Sequence, residues 1–240
     1  MKGKKEMDKT LMDFRYLASL ALLVLLSGTL GYSGEKFQAS ADLTLGFPLG
    51  VFNKNMDHSG VGGSGYFAFK FKDSPFSAGL SFSVLVLGSQ TRAELFSAEI
   101  PEVEVDVTTR NYILMGHLVL RIQPPEGELR PYVEGLLGFN YLWTETGVYD
   151  QGWGDRAIAS SVNQSDLAWS AGAGGGLMIR ICEKKRNREK GIFGIFVDVC
   201  ARYLLGGRAE YLSEGGIIDD DGRLVYDTHL SRTNLLSTNI

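Results

Sequence analysis

With 240 residues the chain is long enough for one domain and short for two. Its 30 glycines against 6 prolines, together with 13 Phe and 10 Tyr, favour a β protein rich in tight turns and aromatic faces. A net charge of −4 offers nucleic acid no basic footprint, and two cysteines, Cys182 and Cys200, are too few for a disulfide scaffold.

The first element reads as an address. Lys2, Lys4, Lys5, Lys9 and Arg15 precede an apolar run from Leu17 to Leu26, and Ser27, Gly28 and Thr29 follow it. A positive start, an apolar stretch and small residues make a secretory signal peptide, expected to span residues 1–33 with cleavage between Gly31 and Gly34. The alternative, a membrane anchor helix, is disfavoured because the run is short and no stop-transfer charges follow.

The remainder, residues 34–240, is expected to be one β domain, with no convincing helix after Glu35. Eight segments carry apolar residues at every second position. Residues 36–48 set Phe37, Leu43 and Phe47 against Gln38, Asp42 and Thr44, and residues 62–72 set Phe67, Phe69 and Phe71 against Tyr66, Lys70 and Lys72. Residues 76–87 alternate Phe76, Leu80 and Phe82 with serines; residues 109–122 place Leu114, Leu118 and Leu120 opposite Asn111, His117 and Arg121. Residues 129–146 oppose Val133, Leu137 and Trp143 to Arg130, Tyr132 and Glu134. Residues 166–182 pair an apolar face with glycines ending in Arg180, and the seventh segment, from Phe193 to Leu205, opposes its apolar set to Asp198 and Arg202. Residues 232–240 form a weaker eighth.

A soluble sheet also alternates. These strands, however, mostly run to ten residues or more, the length that crosses a bilayer at a tilt. Aromatics such as Tyr112, Trp143, Trp169 and Tyr203 lie near the ends of the apolar faces. Connections alternate between short (73–75, 123–128, 183–190) and long (50–60, 88–108, 147–165, 206–231), as expected of short periplasmic turns and longer external loops. On this pattern, with a local echo in Arg130-Pro131-Tyr132-Val133, the chain resembles the small outer-membrane β-barrels of the OmpA/OmpX type. The resemblance covers residues 36–240 and implies an all-β, eight-stranded antiparallel up-and-down transmembrane barrel. It also implies outer-membrane lipid, lipopolysaccharide and the barrel assembly machinery as partners. One departure is that family members usually finish on a terminal aromatic, whereas Ile240 stands last here.

An eight-stranded interior is just wide enough for side chains to fill. The inward set, Asp42, Lys70, Arg121, Arg130, Glu134, Arg180, Asp198 and Arg202, together with Lys72, is therefore expected to form a paired polar plug rather than an ion path. Gly172, Gly174 and Gly176 are read as room for large neighbours such as Tyr132, or as permitting the curvature that closure requires. Cys182 and Cys200 are expected to point inward, about 25 Å apart, and to stay free thiols.

Several motifs carry little. Residues 60–65 match G-x-G-x-x-G, but a strand follows where a helix is needed, so a flexible loop is expected. Asp219-Asp220-Asp221-Gly222 lacks calcium-loop spacing, and Asp221-Gly222 suits a type I′ hairpin turn. Asn163-Gln164-Ser165 is a glycosylation sequon by letter only. The histidines, His58, His117 and His229, assemble no constellation with a nucleophile, and no catalytic, cofactor or metal site is read. Glu94, Glu99, Glu102, Glu104 and Asp106 make the second long connection acidic. The expected function is a non-enzymatic outer-membrane protein serving envelope integrity or surface contact, its surface ligand unidentified. The alternatives are a lipid A-modifying barrel enzyme and, less well matched to the faces, a soluble lipocalin-like binder.

Overall fold

The computed structural model describes residues 30–33, 36–56, 58–97, 100–150, 157–185, 192–220 and 223–240. Among these residues eleven strands and one short helix follow in chain order: β1 (Leu30–Ser33), β2 (Phe37–Pro48), α1 (Val51–Met56), β3 (Gly60–Lys70), β4 (Phe76–Ser97), β5 (Ile100–Ile122), β6 (Leu129–Asp150), β7 (Ala157–Lys185), β8 (Ile192–Gly206), β9 (Arg208–Asp220), β10 (Arg223–Arg232) and β11 (Leu235–Asn239). Neighbours pair antiparallel from β2 through β8, and β11 then closes the ring between β8 and β2. The domain is thus a closed, eight-stranded up-and-down antiparallel barrel.

Side-chain period 2 gives this wall two unlike faces. Leu120 is 66 % exposed and its neighbour Arg121 is 1 % exposed. The same inversion recurs at Val133 and Glu134, Leu137 and Leu136, Val199 and Asp198, and Tyr203 and Arg202. Large apolar side chains cover the outside, the reverse of a soluble barrel.

Two lower connections turn on left-handed residues. Asp73 takes a left-handed φ of 54° between β3 and β4, a conformation aspartate tolerates, and Gly127 takes φ 126° between β5 and β6. The upper end differs from the sequence expectation of four long loops. Residues 88–108 and 147–165 are largely strand: β4 and β5 stay paired up to Ser97 and Ile100, and β6 and β7 up to Tyr149 and Ala157. Together they form a four-stranded extension rising beyond the barrel. Its polar hydroxyls bond across the ladder, Thr91 to Thr108 at 2.9 Å and Thr109 to Thr146 at 3.0 Å. In β5 Val103, Val105 and Val107 alternate with Glu102, Glu104 and Asp106, a strand signal set among charges, and Val105 and Val107 are buried. Asn163 donates to Thr146 at 2.6 Å within this extension.

Two further corrections apply at the upper end, and one expectation is extended. Residues 51–56 form helix α1, its Phe52 and Met56 buried one turn apart on one face. Residues 60–65 belong to β3 rather than to a flexible loop, and a side chain at Gly62 would collide with the Val84 backbone carbonyl. The hairpin expected about Asp221-Gly222 extends through most of residues 206–231 as β9 and β10, with Asp220 opposite Arg223; residues 221–222 themselves lie outside the described residues.

The eighth stave has two parts. β11 occupies its upper half, from Leu235 beside Leu204 to Asn239 beside Cys200. Its lower half is filled by β1, which pairs with Gln38–Ala41 of β2 and Gly194–Phe196 of β8. The cleavage interval expected from the sequence, Gly31 to Gly34, falls within or directly after β1.

Candidate functional site: the barrel lumen

Inward residues sort by height. The lower half is charged and centres on Glu134 of β6. Its Oε2 accepts two hydrogen bonds from Arg121 of β5, from Nε at 2.9 Å and Nη2 at 2.8 Å. Its Oε1 accepts from Nε of Arg202 on β8 at 2.6 Å. Arg121 also faces Asp198 at 3.7 Å, and Asp198 accepts from the Tyr132 hydroxyl at 2.8 Å. Two guanidiniums are thereby matched by two carboxylates across three strands. Taking such ions out of water is costly and requires close pairing with hydrogen bonds to the remaining atoms. Those are present: Arg202 Nη1 donates to Ser81 at 3.2 Å, and the Arg121 guanidinium lies between the Tyr132 ring at 3.7 Å and the Tyr66 ring at 4.3 Å.

Of the eight expected plug residues, Arg121, Glu134, Asp198 and Arg202 form this network. Asp42 lies on the β2 side, accepting from Ser40 at 3.1 Å and Ser64 at 3.4 Å through Oδ2, while Oδ1 is buried without a protein partner. Lys70 donates to Ser33 of β1 at 3.1 Å. Arg130 sits at the lower mouth, donating to the Gly127 carbonyl at 3.1 Å with its guanidinium 4.6 Å from the Phe196 ring centre. Arg180 is half-buried near the lower end of β7, its backbone N–H donating to the Glu128 carbonyl at 2.8 Å. Lys72 is exposed beyond β3 and does not join the inward set.

Gly176 makes the Tyr132 contact possible, since a Cβ there would come within 2.5 Å of the Tyr132 ring and hydroxyl. Below the network Gln123 donates to Gln38 at 3.1 Å, and Gln38 donates to the Met178 sulfur at 3.1 Å. Above it His117 bonds Ser170 at 3.0 Å, and Asn140 reaches Thr233 at 3.5 Å.

The upper half departs from a polar plug. Leu85, Leu87, Ile113, Met115, Leu142 and Leu204 point inward and pack with Phe52 and Met56 of α1 and Tyr211 of β9. Phe52 meets Tyr211 edge-on at 5.1 Å, Asn55 donates to the Tyr211 hydroxyl at 3.0 Å, and that hydroxyl bonds Ser231 at 2.6 Å. Helix and hairpin thus cap the lumen from above. A sequence signal for this existed: residues 84–87 and 112–115 are apolar at both parities, as a strand must be when both its faces meet apolar surroundings.

The thiols differ from expectation in register. A bulge between Arg180 and Cys182 sets Cys182 opposite Ile195 and turns it outward, exposed, while Cys200 is buried opposite Gly176. Both are free.

No family model matches the chain, and no curated protein sequence does. Among solved structures, the chain is similar to Ail, the attachment invasion locus protein of Yersinia pestis, solved in complex with the heparin analogue sucrose octasulfate. The two share 13 % identity over 87 % of this chain and 96 % of that one, at a TM-score of 0.31. The barrel assignment rests on the strand pairing described above.

Proposed function

We propose that the chain is an integral outer-membrane barrel, exported by an N-terminal signal within residues 1–33, that works as a non-enzymatic envelope protein. The lumen is a structural plug, and surface contact falls to the strand extension and the cap. The observation that carries this reading is the inverted wall, apolar outside and ionic inside. On β4 the outward row from Phe76 to Val86 covers ten residue steps, about 26 Å of membrane normal at the usual strand rise and tilt. That matches the apolar band of about 25 Å in such barrels. Tyr112 stacked on Trp143 at 4.9 Å, and Trp143 on Tyr141 at 5.6 Å, mark its upper border. An aqueous environment would leave this large apolar surface without cover.

Cell fractionation with gel migration of unheated and boiled samples tests the reading. Recovery with the outer membrane and a heat-dependent shift are expected, and recovery in the soluble periplasm would overturn it. The enzyme alternative is tested by lipid A mass spectrometry with and without the protein, where unchanged lipid A is expected.

A further inference from the structure

Lysine in this barrel is sorted by height, whereas arginine is not, since Arg92, Arg110, Arg208 and Arg232 stand at the upper end. Among the described residues Lys36, Lys70, Lys72, Lys184 and Lys185 all belong to the lower end, and only Lys54 of α1 lies at the upper one. At the upper end stand carboxylates such as Glu145, Asp166 and Glu210. Three of the lower lysines share one corner, where β2 begins and β3 ends. The Lys70 N–H donates to the Lys36 carbonyl at 2.8 Å, so these two face each other across the ladder. Lys36 and Lys72 are exposed, whereas Lys70 turns to Ser33.

The same corner carries a continuous sheet of phenyl rings. Phe37 stacks on Phe67 at 5.7 Å and meets Phe69 edge-on at 5.6 Å, and Phe69 meets Phe71 edge-on at 5.9 Å. The upper border has tyrosine and tryptophan, whose polar tips suit an interface; phenylalanine has none. Polar anchoring at this corner therefore falls to the ammonium groups flanking the rings. Among the described residues its neighbouring carboxylate is Asp73 in the turn to β4, while Glu126 and Glu128 belong to the β5–β6 connection on another wall.

We propose that the β2–β3 corner is a docking surface for anionic phospholipid headgroups of the lower leaflet. The phenyl cluster sits among the acyl chains, and Lys36 and Lys72 meet the lipid phosphates. A lysine on a long apolar stem reaches from the edge of a hydrocarbon layer to its headgroups, and its attraction for anionic lipid fades beyond a Debye length. This rests on the membrane-barrel reading above.

The test uses the full chain folded into phosphatidylcholine vesicles containing trace spin-labelled phosphatidylglycerol or spin-labelled phosphatidylcholine. The motionally restricted fraction of each lipid is read by electron spin resonance. The glycerol lipid is expected to be preferred about two-fold or more at low salt, and the preference to vanish in about 0.5 M salt. It is expected to be lost in K36Q/K72Q and kept in K54Q. Equal restriction of the two lipids, or a preference that survives K36Q/K72Q, overturns the proposal. Heat-dependent migration of the same samples separates the two failures: a chain that shows none has not inserted, which removes the membrane reading and this proposal with it.

Discussion

Glu134 accepts from two arginines at once, and each arginine is nearly sealed from solvent. Removing its charge leaves both guanidiniums buried without their shared partner. E134Q should therefore cost about 3–5 kcal/mol of folding stability, read as a lowered urea midpoint in detergent or vesicles. Replacing all four ions with uncharged residues of similar size, E134L/R121M/R202M/D198N, should cost less than E134Q alone, because no unpaired charge remains. A ranking in the opposite order would mean the network is not what sets stability here. The thiols give a second test at this scale. Maleimide should label one cysteine, Cys182, in the folded protein and two after unfolding; labelling of Cys200 in the folded barrel would contradict its burial.

At the scale of elements, the transmembrane parts of the strands were legible because burial imposes a strict alternation. β2 was expected at 36–48 and runs from Phe37 to Pro48; β8 was expected from Phe193 to Leu205 and runs from Ile192 to Gly206. Ionic lumen residues were legible for the same reason, since Arg121 or Glu134 set between outward leucines and valines has one place to go. What escaped was structure whose residues meet like surroundings on both faces. Leu85 and Ile113 sit in strands apolar on both sides, which leaves no period of 2; the β5 part of the extension does alternate, Val103, Val105 and Val107 against Glu102, Glu104 and Asp106, but as a short apolar row set among charges. Helix α1 escaped because six residues are too few to display a helical period. Its contribution is measurable. F52A removes a fully buried ring from the cap and should cost about 3–5 kcal/mol, with faster protease nicking of the β9–β10 hairpin as the local readout. A cap that is merely decorative would leave both unchanged.

For the whole molecule, the stacking of an apolar cap on an ionic plug predicts a closed barrel. Purified protein in planar bilayers should show no steady single-channel conductance, and steps of porin size would refute the sealed lumen. Conductance that appears only in F52A would instead locate the seal in the cap. The pairing of β11 with β2 has a consequence for timing. Phe47 and Leu236 lie side by side in the wall, yet nearly the whole sequence separates them. A chain delivered from its N-terminus exposes the Thr44–Pro48 part of the β2 edge, above β1, from the start, and that part can find its partner only after β3 to β10 have crossed. Until then the growing sheet is an open ribbon that any passing strand could join. Ring closure thus waits for β11, and the interval before it is when this protein most needs an escort.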